Sequence, residues 1–271
     1  MTRWPAVLLR ARAIVGTYDT SVTLRQLFYR LVAAELIPNT ETAYKTLSDR
    51  TARARRAGDF PALIDLGRTI HERPAWDSPA SALRALIRQY REDRTAGQPV
   101  SLYLAVEKAG LVVQLESWFG TLGVPILALS GYSSQTYADD VAGHAESQDR
   151  PAVLLYAGDF DASGEDIDRD FTARTDCWAK VIRVALTAGQ VDQFSLPPQP
   201  GKDADSRAAG FAERHGELVQ VEVDALDPAD LQALFRAAVE QFWDVSAHEV
   251  ALARESAGRS RLQQGAMGSL S

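Results

Sequence analysis

Hydrophobic residues along the chain follow two different spacings, and the change falls near residue 95. Before it, apolar side chains recur at the spacing of one buried helix face. This pattern predicts helices over residues 5–17, 24–35, 40–57 and 81–94. Thr23, directly before the second helix, is a typical N-cap residue. The stretch Thr95–Pro99 then contains a glycine and a proline, which predicts a domain boundary.

Beyond this boundary, continuous apolar runs alternate with segments of helical spacing. The apolar runs predict strands over residues 100–106, 124–129, 152–157 and 178–184. The segments between them predict helices over residues 109–119, 135–144 and 164–172. Such alternation builds an open, mostly parallel sheet with helices on both faces. We therefore predict an α/β fold with a Rossmann-like, mostly parallel sheet that follows an N-terminal helical domain.

The last part of the chain is less regular. Its pattern predicts a strand over residues 218–223, a helix over residues 228–243, a charged segment from His248 and a disordered tail over residues 265–271. The predicted organisation is a helical domain over residues 1–95, a sheet domain with a C-terminal extension over residues 98–250, and a charged helix end with a disordered tail over residues 251–271.

Carboxylates follow two of the predicted strands. Glu107 ends the first strand, and Asp159 and Asp161 come directly after the third. In a flavodoxin-like strand order the first and third strands are neighbours, so these side chains would meet at the carboxyl edge of the sheet. Buried carboxylates need a compensating positive charge, and Mg²⁺ is a hard cation that prefers oxygen ligands. The pattern predicts a Mg²⁺ site, although Glu107 alone could equally cap the following helix.

Charge is distributed unevenly along the chain. The net charge is −7, yet residues 1–60 are net +5 and the remainder is net −12. A basic front part favours a polyanion as partner, and a solvated helix face is the equal alternative. The chain has one cysteine, Cys177, and no apolar run near the ~20 residues of a membrane span, so we expect a cytoplasmic protein without a membrane partner.

The basic front part has the element order of a DNA-binding module. Three predicted helices precede a possible short strand within residues 64–70, which is the order of a helix-turn-helix with a wing. In such modules the last helix enters the major groove of double-stranded DNA. That helix contains four candidate DNA-binding side chains: Arg50, Arg53, Arg55 and Arg56. A plain three-helix bundle is the alternative interpretation.

Other common site motifs are absent from the sequence. The four histidines are far apart and have no metal-ligand spacing with Cys177, which argues against zinc. Neither a Gly-x-x-x-x-Gly-Lys-Ser/Thr loop nor a Gly-x-Gly-x-x-Gly after the first strand is present. Binding of ATP or a dinucleotide by those loops is therefore not expected.

Two motifs resemble a known family. Val106-Glu107-Lys108, followed about 50 residues later by Gly158-Asp159-Phe160-Asp161-Ala162-Ser163-Gly164, resembles the Toprim fold of topoisomerases, bacterial-type primases and several nucleases. Thr23-Leu24-Arg25-Gln26-Leu27-Phe28-Tyr29 resembles the Arg-Asp-Ile-Tyr-Tyr segment of the DNA-cleaving subunit of topoisomerase VI and of the related meiotic double-strand-break protein. Leu196–Pro200 and Lys202–Arg207 are similar to compact bacterial and phage relatives. Gln26 and Phe28 depart from the family, which has Asp and Tyr there.

The resemblance implies roles for individual residues. Tyr29 would attack a DNA phosphodiester and form a 5′-phosphotyrosyl bond, with Arg25, one helical turn away, assisting its ionisation. Glu107 would act with Asp159 and Asp161 in holding Mg²⁺, and Lys108 would contact phosphate. The family pattern also implies a homodimer in which the tyrosine of one protomer meets the Toprim metal of the other, a nucleoid-associated location, and a separate ATPase subunit for topoisomerase VI activity.

Three functions remain open at this point. The first is Mg²⁺-dependent cleavage of DNA by Tyr29, as in the DNA-cleaving subunit of topoisomerase VI, a type IIB topoisomerase. The second is a Toprim nuclease that uses water, with Tyr29 serving only in packing beside its apolar neighbours. The third is a non-catalytic, DNA-binding relative that has retained the fold.

Overall fold

The computed structural model describes residues 3–65, 73–201 and 205–269, and a four-stranded parallel sheet lies at its centre. Its strands are β1 (Ser101–Val106), β2 (Ile126–Ala128), β3 (Ala152–Ala157) and β4 (Trp178–Ala185). Their order is β2-β1-β3-β4, so the prediction that the first and third strands are neighbours is confirmed. Every residue of β1 and β3 is buried, as expected for central strands of a parallel sheet covered on both faces.

Helices precede the sheet, connect its strands and follow it. They are α1 (Trp4–Val15), α2 (Leu24–Ala33), α3 (Glu41–Arg56), α4 (Pro79–Gln89), α5 (Val112–Phe119), α6 (Gln135–Glu146), α7 (Ala162–Thr175), α8 (Ala188–Gln193), α9 (Ala208–His215), α10 (Pro228–Glu240) and α11 (Val245–Ser269). Short 3₁₀ turns cover Ala109–Leu111, Gly120–Leu122 and Val223–Ala225. A small antiparallel pair joins β5 (Gln199–Pro200) to β6 (Val219–Gln220). The parallel sheet and its helices confirm the predicted α/β class.

The first three helices form a hydrophobic core of their own. Leu27, Leu31 and Leu47 are fully buried within it, and burial of such a side chain contributes roughly 1.5–3 kcal/mol. The predicted cap is confirmed, since the Thr23 hydroxyl accepts from the Gln26 backbone N–H. The predicted strand within residues 64–70 is represented by Ile64, which forms one parallel bridge with Thr23; residues 66–70 lie outside the described ranges.

Helix α2 docks on the sheet domain through two side chains. Gln26 Nε2 donates to the Gly110 carbonyl at 3.3 Å. Arg30 donates to the Ala225 carbonyl at 3.1 Å and pairs with Asp227 at 2.6 Å. Gln26, one of the two departures from the family segment, therefore caps α2 and also joins it to the loop after β1. These contacts hold α2 against the carboxyl edge of the sheet.

Two predicted segments differ in the structure. The strand predicted over residues 218–223 is limited to β6 plus an isolated bridge at Val221, because the chain then turns into the 3₁₀ segment Val223–Ala225. The disordered tail predicted over residues 265–271 differs up to Ser269, where α11 ends, and residues 270 and 271 lie outside the described ranges. Strong helix formers such as Ala, Arg, Glu and Gln dominate residues 245–264 of α11 and favour continuation of the helix.

Helix α11 returns to the domain boundary. Its buried Glu255 accepts two hydrogen bonds at 2.8 Å from the Arg94 guanidinium, which lies beyond the end of α4. The fork-to-fork geometry of such a pair fixes orientation as well as distance. Over the described ranges, no helix combines the length and apolarity needed to cross a membrane.

Candidate functional site

The loops after β1 and β3 meet at the carboxyl edge of the sheet. Val106 pairs with Ala157 at the last register position of the two strands. The Glu107 N–H donates to the Ala157 carbonyl at 2.9 Å, and the Asp159 N–H donates to Glu107 Oε2 at 2.9 Å. Two of the three predicted metal ligands are thus directly linked, although 52 positions separate them in the sequence.

Two positions around Asp159, Gly158 before it and Gly164 in the first turn of α7, have no room for a side chain. A Cβ at Gly158 would overlap the Tyr156 hydroxyl, and a Cβ at Gly164 would overlap the Asp159 carbonyl oxygen. Helix α7 consequently begins very close to the loop that presents Asp159. Asp161 caps this helix, with its Oδ1 accepting from the Gly164 N–H at 2.6 Å. Its carboxylate therefore serves the helix N-terminus.

A third segment, residues 221–224, completes the carboxyl edge of the sheet, and we call it the crossing segment. The sequence did not predict its position there. Phe160 and Val221 exchange two backbone hydrogen bonds of 2.9 Å, which brings the chain after β6 alongside the Asp159 loop. The Val223 N–H then donates to Asp159 Oδ1 at 2.9 Å. This segment brings Glu222 and Asp224 to the site. Their alternation with Val221 and Val223 is the available sequence signal, since it places both acids on one face.

Lys108 lies inside this acidic cluster, which we define as Glu107, Asp159, Glu222 and Asp224. Its Nζ is 2.7 Å from Asp159 Oδ2 and also contacts Glu222 Oε2. The Lys108 side chain is 12% exposed. The residue predicted to contact DNA phosphate is thus turned inward, where its ammonium neutralises carboxylates from two separate segments.

Burial and mutual repulsion perturb the acids of this cluster. Burial, and then the negative charge of Asp159, raises the pKa of Glu107 from 4.5 to about 7. Burial raises the pKa of Asp224 from 3.8 to about 6, against the opposing effect of Lys108. Perturbed carboxyl groups that face a cleft are typical of functional sites.

Tyr29 stands on α2 beside the acidic cluster. Its ring centroid is 5.4 Å from Lys108 Nζ, and the Arg25 Nη2 donates to its hydroxyl at 3.4 Å. Arg25 also lies 3.5 Å from Glu222 Oε2. Burial raises the pKa of Tyr29, while the Arg25 charge acts in the opposite direction. Tyr29 also packs edge-to-face on Phe28, so it serves the helical core as well.

A cleft of about 740 Å³ separates the helical part from the carboxyl edge of the sheet. Its charged walls combine Arg25, Arg55 and Lys108 with Glu107 and Asp224. Cationic groups around a carboxylate pair are what a phosphodiester substrate and its metal ion require. The cleft therefore joins elements of both predicted domains in one site.

The four arginines of α3 are exposed but point to different surroundings. Arg55 lines the cleft. Arg50 stacks over Trp4 with its Cζ 5.1 Å from the ring centroid, and Arg53 pairs with Asp49 at 2.9 Å. Arg56, at the end of α3, is exposed. Of these four arginines, Arg55 is the one that lines the cleft together with Arg25.

The donor chemistry of the cluster suits a hard cation. Within the described ranges, no three His, Cys, Asp or Glu side chains surround a common point as they would around a bound metal ion. The groups present at the edge are nevertheless carboxylate oxygens, and Asp224 Oδ1 is buried without a hydrogen-bond partner among the described residues. Oxygen-only donors fit Mg²⁺ or Mn²⁺ rather than a metal that prefers sulfur or imidazole.

The chain matches no protein-family model, and a comparison with curated proteins finds no match. The Toprim and topoisomerase VI resemblance therefore rests on the motif residues alone.

Proposed function

We propose that this protein cleaves DNA in a Mg²⁺-dependent reaction resembling that of the DNA-cleaving subunit of topoisomerase VI. The observation that carries the proposal is the position of Lys108, whose Nζ is 2.7 Å from Asp159 and 5.4 Å from the Tyr29 ring centroid. The candidate nucleophile Tyr29 and the candidate metal ligand Asp159 therefore lie beside the same lysine of a single chain, and this lysine lines the cleft together with Glu107. Double-stranded DNA is the proposed substrate.

In the proposed reaction the Tyr29 hydroxyl oxygen attacks the phosphorus of a phosphodiester. A 5′-phosphotyrosyl bond forms, the bond to the 3′ oxygen breaks, and that oxygen leaves as a hydroxyl. Bound Mg²⁺ would supply positive charge to the scissile phosphate and the leaving oxygen. Glu107 and Asp159 would hold it, while Asp161 would contribute by capping α7.

The proton of Tyr29 needs an acceptor, because burial raises the pKa of its phenol. Glu107 would take this role through a carboxylate oxygen that the cation leaves free, since burial and the charge of Asp159 raise the pKa of Glu107 to about 7 in the metal-free chain. Arg25 stabilises a developing phenolate through its 3.4 Å contact with the hydroxyl. Arg55 and Arg25 line the route by which a phosphate backbone would enter.

The same two pKa shifts favour a second candidate, a Toprim nuclease that uses water. A phenol with a raised pKa is a poor nucleophile, whereas a carboxylate that titrates near pH 7 can activate water. Under either reaction a homodimer would carry two sites, so that each site could cut one strand of the DNA duplex. Strand passage of the topoisomerase VI kind would additionally require a separate ATPase subunit.

The test is incubation of supercoiled plasmid with the full chain in Mg²⁺, Mn²⁺ or EDTA, followed by denaturation with detergent. Tyr29→Phe removes only the hydroxyl, and Asp159→Asn removes a candidate metal ligand. Tyr44→Phe is the matched control, because Tyr44 lines the cleft and, like Tyr29, packs edge-to-face on Phe28, with a ring-centroid distance of 5.2 Å.

The expected result is metal-dependent cleavage with protein covalently attached to 5′ ends, lost in Tyr29→Phe and Asp159→Asn and retained in Tyr44→Phe. Cleavage that persists in Tyr29→Phe without a covalent adduct would replace the tyrosine reaction with the water nuclease. DNA binding without any cleavage in either metal would refute both reactions.

A further inference from the structure

We propose that Glu222 and Asp224 belong to the same cation site as Glu107 and Asp159, and that the Lys108 ammonium is the charge that a divalent cation displaces from it. This inference rests on the proposed function in one respect, the presence of a divalent cation at this edge. The inference adds two ligands from a separate segment, Glu222 and Asp224. It also makes the Lys108 ammonium the group that leaves when the divalent cation binds.

The first observation is the state of Asp224. Its side chain is 5% exposed, and it lines the same cleft as Glu107 and Lys108. Among the described residues its Oδ1 has no hydrogen-bond partner. A buried acceptor left unpaired costs about 1–3 kcal/mol, and more when it is charged. A cation entering from the cleft would satisfy this oxygen.

The second observation is the position of the Lys108 ammonium. It contacts Asp159 of the β3 loop and Glu222 of the crossing segment, so it bridges the two sources of carboxylates. One ammonium neutralises one of the four acids, whereas a divalent ion carries twice that charge and takes more oxygen ligands. The Lys108 ammonium thus stands where a cation is needed, but it supplies only part of the positive charge and contacts fewer oxygens than a divalent ion would.

Displacement of the Lys108 ammonium by a divalent cation would make the wall of the cleft more positive. Once released from Asp159 and Glu222, the ammonium would remain on the cleft wall that Arg25 and Arg55 also line. A third cation there would favour a phosphate backbone. The proposal therefore links the inward position of Lys108 to the phosphate-binding role that the motif implies.

The experiment measures binding of Mn²⁺ to the full chain, without DNA, through the electron paramagnetic resonance signal of the free ion. We expect Asp224→Asn to weaken Mn²⁺ binding at least about tenfold and Lys108→Met to strengthen it by a similar factor. Asp170→Asn is the matched control, because it removes an aspartate paired with Arg174 on α7 and should leave Mn²⁺ binding unchanged.

Thermal unfolding provides a second readout. Lys108→Met removes the counter-ion of Asp159 and leaves Arg25, 3.5 Å from Glu222 Oε2, as the remaining cation beside the acids. The variant should therefore melt at a lower temperature than wild type in EDTA, and its melting temperature should rise more on addition of Mn²⁺. A Lys108→Met chain that stays unfolded in Mn²⁺ would overturn the proposal, because the ion would then fail to replace the ammonium. A Lys108→Met chain that binds Mn²⁺ no more tightly than wild type would also overturn it.

Asp159→Asn separates this inference from the proposed function. If Asp159→Asn abolishes Mn²⁺ binding while Asp224→Asn binds as wild type does, Asp224 is not a ligand and the inference fails while the metal-dependent reaction stands. If wild type binds no Mn²⁺ at all, both fail. Loss of binding in both variants, with Asp170→Asn unchanged, is the result that supports the inference.

Discussion

Glu107→Gln is expected to stabilise the metal-free protein at alkaline pH while removing the metal-dependent cleavage proposed above. The side chain keeps its size, and its amide oxygen can still accept from the Asp159 N–H, which lies 2.9 Å from Glu107 Oε2. What disappears is a carboxylate that burial and the charge of Asp159 disfavour. A residue that costs stability where it stands is expected at a functional site.

The magnitude follows from the proton linkage of one group. The pKa of Glu107 is about 7 in the folded chain, above its ordinary value of 4.5. Its contribution to stability is therefore fully present below pH 4.5 and is lost as pH rises through 7. Between pH 5 and pH 8 the wild type should lose on the order of 2–3 kcal/mol from this group, and Glu107→Gln should not.

Urea unfolding in EDTA at both pH values measures this difference. The raised pKa of Asp224 contributes in the same pH window, but it is present in both proteins and largely cancels in the comparison. Glu116→Gln is the control, since Glu116 is exposed on α5, and it should change the free energy of unfolding by less than about 0.5 kcal/mol. If Glu107→Gln is no more stable than wild type at pH 8, the carboxylate is not strained by its surroundings and the electrostatic argument for the site is wrong.

Three further predictions test how the site is built. Arg30→Ala should lower the free energy of unfolding by about 1–3 kcal/mol in urea, because it removes the charged contacts that dock α2; an unchanged value would mean that α2 docks by other means. Gly164→Ala should cost a similar amount, since its Cβ would overlap a backbone carbonyl, whereas Gly143→Ala has open space and should be neutral or stabilising by up to ~1 kcal/mol. Arg55→Ala should weaken DNA binding and lower the salt-dependence slope by about 0.9, while Arg53→Ala, already paired on its own helix, should change both less; equal effects would contradict the cleft as the DNA path.

The central strands and their adjacency could be predicted from the sequence because each signal is local. Apolar runs that end in Glu107 and in Asp159 mark buried parallel strands, and the alternation with helices restricts their order. The same information could not give the direction of Lys108. A lysine after a strand is compatible with an outward or an inward ammonium, and the acids that draw it inward come in part from a segment more than 100 positions away.

The crossing segment could not be placed for a related reason. Residues 219–223 alternate apolar and polar positions, which is the pattern of a strand, yet only Val219 and Gln220 form one, β6. The bridge between Phe160 and Val221 then decides where Glu222 and Asp224 lie, and this pairing is a tertiary contact without a local signal. The disordered tail over residues 265–271 is predicted from its position at the end of the chain, whereas the helix formers before it continue α11 to Ser269.

The docking of α2 bears on whether one chain or two would form the reacting centre. In the family that the motifs resemble, the tyrosine of one protomer meets the metal of the other. Here Gln26 and Arg30 attach α2 to its own sheet domain, so Tyr29 lies beside the carboxylates of the same chain. Donating Tyr29 to a partner would require breaking these contacts, whereas a reaction within the chain would keep them. The homodimer stays a prediction, and its purpose under this arrangement would be to cut the second DNA strand rather than to complete the first site.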